Sequence, residues 1–169
     1  WGSEINTEKF EISNKTGYVF PDMPYQSIGF QNSFQSHNQE SYFGLNQYDI
    51  DQKSYYSNLL FNSIINNTKN KFTTGVNFTY DKYKEFVAVN FAKDFSRVDN
   101  SVGAFFEYDY DNLDNFQVVA GIRVDNHNRL GTFVTPRVHV RYNPWKDAVL
   151  RTSIGRGKRA ANIFAENQQ

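Results

Sequence analysis

The stretch Phe116–Arg159, FQVVAGIRVDNHNRLGTFVTPRVHVRYNPWKDAVLRTSIGRGKR, decides the fold. From Phe116 to Val124 every second residue is apolar (Phe116, Val118, Ala120, Ile122, Val124), with Gln117, Val119, Gly121 and Arg123 between them and Asp125 following. The pattern recurs at Val134, Pro136, Val138, Val140 and Tyr142, set against Thr135, Arg137, His139 and Arg141. It recurs again at Ala148, Leu150, Thr152 and Ile154, set against Val149, Arg151 and Ser153. A period of two means strands with one apolar and one polar face. Three consecutive strands with arginine on the polar face, joined by short turns, predict a wall with hydrocarbon on one side and water on the other. A transmembrane β-barrel is written this way.

The same residues carry a resemblance. Gly121-Ile122-Arg123-Val124-Asp125, Thr135-Pro136-Arg137, Arg141-Tyr142-Asn143-Pro144, Leu150-Arg151 and Gly155-Arg156-Gly157-Lys158-Arg159 follow one another in fixed order, with Asn162-Ile163-Phe164 and Glu166-Asn167 downstream. Each piece is weak alone, and the order and hairpin spacing make them specific together. The run resembles the barrel of TonB-dependent receptors, the plugged outer-membrane importers of Gram-negative bacteria. The likeness covers Lys53 to Gln169, and the first fifty residues through their alternation. Nothing in the chain resembles the family's plug or its energy-coupling segment, so residues 1–169 are expected to form a partial β-barrel domain.

Composition is compatible with that reading. The chain of 169 residues is 17% aromatic, with 16 Phe and 11 Tyr, yet its mean hydropathy is −0.67. Eighteen basic and eighteen acidic residues cancel, so no bulk field draws it to nucleic acid. The absence of cysteine excludes a disulfide framework and a thiolate metal site. No apolar run approaches the roughly 18–20 residues of a membrane helix.

Working outward from the opening stretch, alternation predicts five earlier strands. The first runs from about Glu8 to Phe20 and ends at Pro21-Asp22-Met23-Pro24, and the second from about Gln26 to Ser36. The third, Ser54 to Ile65, is the least regular, because Tyr56, Leu60 and Ile64 oppose Tyr55, Leu59, Phe61 and Ile65. The fourth (Phe72 to Tyr80) and fifth (Val102 to Tyr110) alternate cleanly. His37–Lys53 is polar and reads as a long loop, with extension of the flanking strands into it as the alternative; Asp81–Asp99, charged and irregular, reads as a second long loop, and longer connections also fall near His127 and beyond Phe164. Short turns fall near Pro21, Asn67, Asn112 and Asn143. Short turns on one side and long loops on the other are the loop asymmetry of outer-membrane barrels. Tyr18, Phe20, Tyr108, Tyr110, Tyr142 and Trp145 flank the short turns, where an interfacial aromatic girdle would lie. The expected fold is all-β, an antiparallel up-and-down meander of about eight strands forming a section of a transmembrane barrel.

Arg123, Arg137, Arg141 and Arg151 share the inward parity with Glu107, Asp109 and Asp125. An arginine facing lipid near mid-membrane would cost about 2–4 kcal/mol, so their parity orients the sheet with this face toward the lumen. Structural ion pairs explain such residues at least as well as ligand contact. The expected lumen-face set touching substrate or plug is Arg123, Asp125, Arg137, His139, Arg141, Arg151 and Arg159. Gly155–Arg159 lacks the first half of a phosphate loop, and Arg159 stands where its Ser or Thr belongs. His37, His127 and His139 are too scattered for a metal site. No catalytic residue, metal or cofactor is expected, and the chain is not expected to be an enzyme.

The resemblance implies energised import, at the bacterial outer membrane, of a bulky scarce nutrient such as an iron chelate, a cobalamin or an oligosaccharide. The implied partners are membrane lipid, a plug and further barrel strands of the same protein, a TonB-type coupling protein and the small-molecule or oligosaccharide ligand. Two alternatives stay open: a soluble extracellular β-sandwich that buries Val118 and Val138, and a different outer-membrane barrel, a porin or secretion channel.

Overall fold

The computed structural model describes residues 2–88 and 92–158. Among them, eight strands form one antiparallel sheet in chain order. They are β1 (Ser3–Phe20), β2 (Met23–Phe43), β3 (Asn46–Ile65), β4 (Asn67–Ala88), β5 (Ala92–Asp111), β6 (Phe116–His127), β7 (Gly131–Trp145) and β8 (Ala148–Gly155). No helix is long and apolar enough to cross a membrane, which says nothing about crossing by strands.

Register divides the side chains into two faces, because directly paired residues lie on the same side of a sheet. Ile122 pairs with Phe106 and Pro136, and Val140 with Val118 and Thr152. Arg123 pairs with Phe105 and Thr135, and Arg141 with Arg151. The apolar residues of β6, β7 and β8 therefore share one face, and Arg123, Arg137, Arg141 and Arg151 occupy the other, as the alternation predicts. Followed through the remaining ladders, the same apolar face carries Phe78, Leu59, Phe30 and Ile12.

Burial is inverted relative to a water-soluble protein. No buried hydrophobic residue occurs among those described; the buried side chains are Ser41, Asn58, Ser63, Asn77, Glu85, Ser101 and Asp125. All of these but Ser63 lie on the arginine-bearing face. Asn58 of β3 and Arg156, just beyond β8, line one groove, so the sheet curls around its polar side. Meanwhile Phe10, Leu59, Val76, Phe106, Ile122 and Ile154 stand exposed on the convex side. A two-sheet sandwich would bury these positions against a second layer, and no second layer is present among the described residues. A sheet that packs its polar face and exposes its apolar one is matched to hydrocarbon outside and water inside.

The apolar band has defined limits. Ile12, Phe34, Tyr55 and Tyr80 form one cross-strand row at its far edge. At the other edge, Tyr110, Phe116 and Tyr142 form a chain of ring contacts with centroids 6.5 Å apart at each step. Tyr18 meets Phe20 edge-on at 5.3 Å beside the first turn. On β5, β6 and β7 the band runs from Val102 to Tyr110, Phe116 to Val124 and Val134 to Tyr142. Each run is close to the roughly 9–11 residues of a tilted membrane-crossing strand.

Three expectations need correction. His37–Lys53 and Asp81–Asp99 are not loops: β2 continues to Phe43 and β3 starts at Asn46, while β4 continues to Ala88 and β5 starts at Ala92. The segment near His127 closes tightly as well, with Gly131 at φ 68°. The fourth short turn lies at Lys146-Asp147, not at Asn143, because β7 runs on to Trp145 through an irregular register at Tyr142/Trp145. The two ends therefore differ in how far the strands project past the apolar band. β2 has 21 residues and β4 has 22, so at about 3.3 Å per residue each runs about 70 Å. A hydrocarbon core of about 30 Å takes up roughly half of that. The remainder continues as paired hairpins that carry Asn38, Asp51 and Lys84 on the convex face and Gln52, Glu85 and Arg97 on the concave one. The expected loop beyond Phe164 lies outside the described residues.

Candidate functional site: a charged wall on the concave face

The concave face is organised by side chains reaching over glycines on neighbouring strands. Arg123 on β6 holds Asp125 through two guanidinium nitrogens, Nε at 2.7 and 3.0 Å and Nη2 at 2.7 Å. Its Nη2 also donates to Asn77 Oδ1 on β4 at 2.7 Å, spanning β5. The residue beneath is Gly103, where a Cβ would lie 2.2 Å from Asp125 Oδ1, 2.6 Å from Asn77 Oδ1 and 3.0 Å from Arg123 Nη2. One strand further on, Arg137 passes over Gly121, with Nε 3.2 Å from the position of an added Cβ, and pairs with Glu107 on β5. On β5, the Phe105 ring lies over Gly75, 2.9 Å from an added Cβ. Leu60, the residue that spoils the alternation of β3, pairs with Gly29 on one side and Gly75 on the other. Its side chain lies 3.8 Å from where a Cβ on Gly29 would stand.

The sequence-predicted residues fall into two groups. Arg123, Asp125 and Arg137 are joined into ion pairs, with Asp125 buried and Arg137 exposed. They line a groove of about 560 Å³ with Asn58, Phe105 and Lys158. The other group is His139, Arg141 and Arg151, all exposed, lining a second depression beside Gln117 and Ser153. Arg141 and Arg151 are direct cross-strand partners, an arrangement that is unfavourable for like charges. Neither has an ion pair among the described residues, and the nearby Asp109 is engaged by Gln117 Nε2 at 3.0 Å. Arg159 lies outside the described residues. His127 accepts a hydrogen bond from the Arg129 backbone at 3.1 Å and closes the β6–β7 turn.

A third cluster escaped sequence reasoning because it lies in the segments read as loops. In the projecting part of β4 and β5, the Arg97 guanidinium covers the Tyr83 ring at 4.1 Å and lies 3.7 Å from Glu85 and 3.6 Å from Asp99. Asp99 also meets Arg129 at 2.9 Å, and Gln52 donates to the Tyr83 hydroxyl at 3.3 Å. Burial pushes the Tyr83 phenol up, the Asp81 charge adds to this, and Arg97 opposes it. The hairpins are thus tied together on their concave side by charge and aromatic stacking, without an apolar core.

Comparison with known proteins bears on what such a wall belongs to. A family model described as TonB dependent receptor-like, beta-barrel, matches residues 5–168. No curated protein matches the sequence. Among solved structures, the alcaligin outer membrane receptor FauA from Bordetella pertussis superposes with a TM-score of 0.65 at 10% identity, covering 89% of this chain and 29% of that one. The siderophore receptor PirA from Pseudomonas aeruginosa gives 0.65 at 12% identity, covering 96% and 28%. The ferric citrate transporter FecA, unliganded, gives 0.54 at 12%, covering 88% and 27%. Identities this low speak to fold alone. The chain spans less than a third of the length of each of these three proteins.

Proposed function

Because the chain belongs to the TonB-dependent receptor-like β-barrel family, a family of receptors and transporters and not of enzymes, we propose that it is a section of the wall of an outer-membrane importer for iron chelates. The observation that carries this reading is the inverted burial: a convex face of exposed aromatic and aliphatic residues, and a concave face whose buried side chains are polar. Such a wall holds lipid on one side and a wet lumen on the other.

Of the nutrient classes that the resemblance implies, iron chelates are favoured by the company the fold keeps. The solved structures above are receptors or transporters for alcaligin, siderophores and ferric citrate. Cobalamin and oligosaccharides are the competing cargoes. In this reading the projecting β2–β3 and β4–β5 hairpins form the outer vestibule that meets the ligand. The arginine wall below faces a plug, which moves when a TonB-type partner in the inner membrane pulls. β1 and β8 do not pair with each other, and an open edge is not tolerated in hydrocarbon; further strands of the same protein therefore complete the barrel. Arg141 and Arg151, opposed and unneutralised, are assigned to the plug-facing surface, where an acidic segment would relieve them. His139 lies with them on the same face.

The test is accumulation of ⁵⁵Fe by cells producing the complete receptor, supplied in turn with ferric citrate, a hydroxamate and a catecholate chelate, with and without the coupling protein. At least one chelate is expected to enter at least tenfold above receptor-free cells, and only when the coupling protein is present. Entry that is indifferent to the coupling protein would point to a passive channel. Coupled uptake of cobalamin or an oligosaccharide with no chelate transported would overturn the iron assignment.

A further inference from the structure

The row of convex-face residues just beyond the aromatic edge of the band is cationic in its middle. Above Phe34, Tyr55 and Tyr80 the next row reads Phe10, Ser36, Lys53, Lys82 and Val98. Lys53 and Lys82 are direct cross-strand partners, and neither has an ion-pair or hydrogen-bond partner among the described residues. One row further out, Lys84 faces Asp51, so that lysine has an acidic neighbour and this pair has none directly opposite. Like charges placed directly opposite destabilise a ladder, and an anion bridging both ammonium groups removes the repulsion.

We propose that Lys53 and Lys82 form a binding site for the phosphate of an anionic membrane lipid. Three observations point to a lipid as the source. The pair lies on the convex face, which shares its parity with Leu59, Val76 and Phe78 and not with the lumen arginines. It lies immediately outside the Phe34–Tyr55–Tyr80 row, and amphipathic rings of this kind sit at headgroup depth. Below it on the same face lie Tyr80, Phe78 and Val76 of β4 and Tyr55 and Leu59 of β3, apolar surface on which acyl chains beneath a bound headgroup can rest. Lysine stems run along apolar surface while the ammonium stays at the interface, and Lys82 is half-buried while Lys53 is exposed.

The experiment is native mass spectrometry of the complete receptor in detergent, titrated with phosphatidylglycerol or with zwitterionic phosphatidylcholine. The wild type, the double variant Lys53→Gln/Lys82→Gln and a Lys9→Gln control are compared. Lys9 sits at similar height on the opposite face, paired with Glu11 at 2.9 Å. Each lysine near an anionic surface contributes about 1 kcal/mol, so phosphatidylglycerol binding is expected to fall about tenfold to thirtyfold in the double variant. It is expected to stay unchanged in the control. Retention of full binding by the double variant, or an equal loss in the control, would overturn the site. Displacement of the lipid by millimolar inorganic phosphate would also overturn it, in favour of a free-anion site. The inference rests on the convex face meeting lipid. A wild type that retains neither lipid would contradict that premise, whereas intact lipid binding by the double variant contradicts only the lysine assignment.

Discussion

Arg123 and Arg137 show how single residues set the concave face: each spans a neighbouring strand at a glycine and ends on an acceptor two strands away. Gly103→Ala should therefore be costly, since its methyl group meets Asp125 and Asn77 oxygens at 2.2 and 2.6 Å. A loss of about 1–3 kcal/mol is expected from such overpacking, while Gly157→Ala, with nothing within 4 Å, should be neutral. Urea unfolding of the complete receptor in lipid vesicles measures both. The two ion pairs should also differ. Asp125 is 7% exposed and its Arg123 37%, so Asp125→Ala leaves a half-sheltered cation with the Asn77 oxygen but no counter-charge. Its cost is expected at about 2 kcal/mol, below that of breaking a fully buried pair. Arg137→Gln removes a pair exposed at 58% and 26%, worth less than about 1 kcal/mol. If Arg137→Gln costs as much as Asp125→Ala, this ranking fails. That Arg123 and Asp125 share a face was legible in the sequence, because residues two apart on a strand do. The roles of Asn77 and Gly103 were not. They depend on register between strands, which alternation within one strand leaves open.

At the level of elements, the membrane-depth parts of the strands were legible and their extensions were not, for one physical reason. Alternating hydrophobicity reports that a strand has different solvents on its two faces, not that it is a strand. From Phe72 to Tyr80 the two faces meet different media and β4 declares itself. From Asp81 to Ala88 both faces meet water or polar neighbours, so the pattern vanishes although the ladder with β5 continues. The cost of a charge on the convex face should therefore depend on depth. Ile122→Arg on the convex face of β6, inside the band, should destabilise by about 2–4 kcal/mol. Asn38→Arg on the same face of β2, beyond the aromatic row, should change stability by less than about 0.5 kcal/mol. Folding free energies into vesicles measure both, and equal penalties at the two positions would contradict the assigned band.

The molecule as a whole is a sheet turned inside out, and every functional assignment above depends on which medium each face meets. Accessibility of a nitroxide label tests this most directly. The chain has no cysteine, so a cysteine placed at each position from Phe116 to Val124 gives one label site in this segment. The complete receptor, in lipid vesicles, is then exposed to oxygen, which concentrates in hydrocarbon, and to a water-soluble nickel chelate. Labels at 116, 118, 120, 122 and 124 should relax mainly with oxygen, and those at 117, 119, 121 and 123 mainly with the nickel chelate or be shielded from both. An unbroken alternation in that phase is the predicted result. Loss of the alternation, its reversal, or exclusion of both reagents from the even positions, as in the dry core of a two-sheet protein, would contradict it.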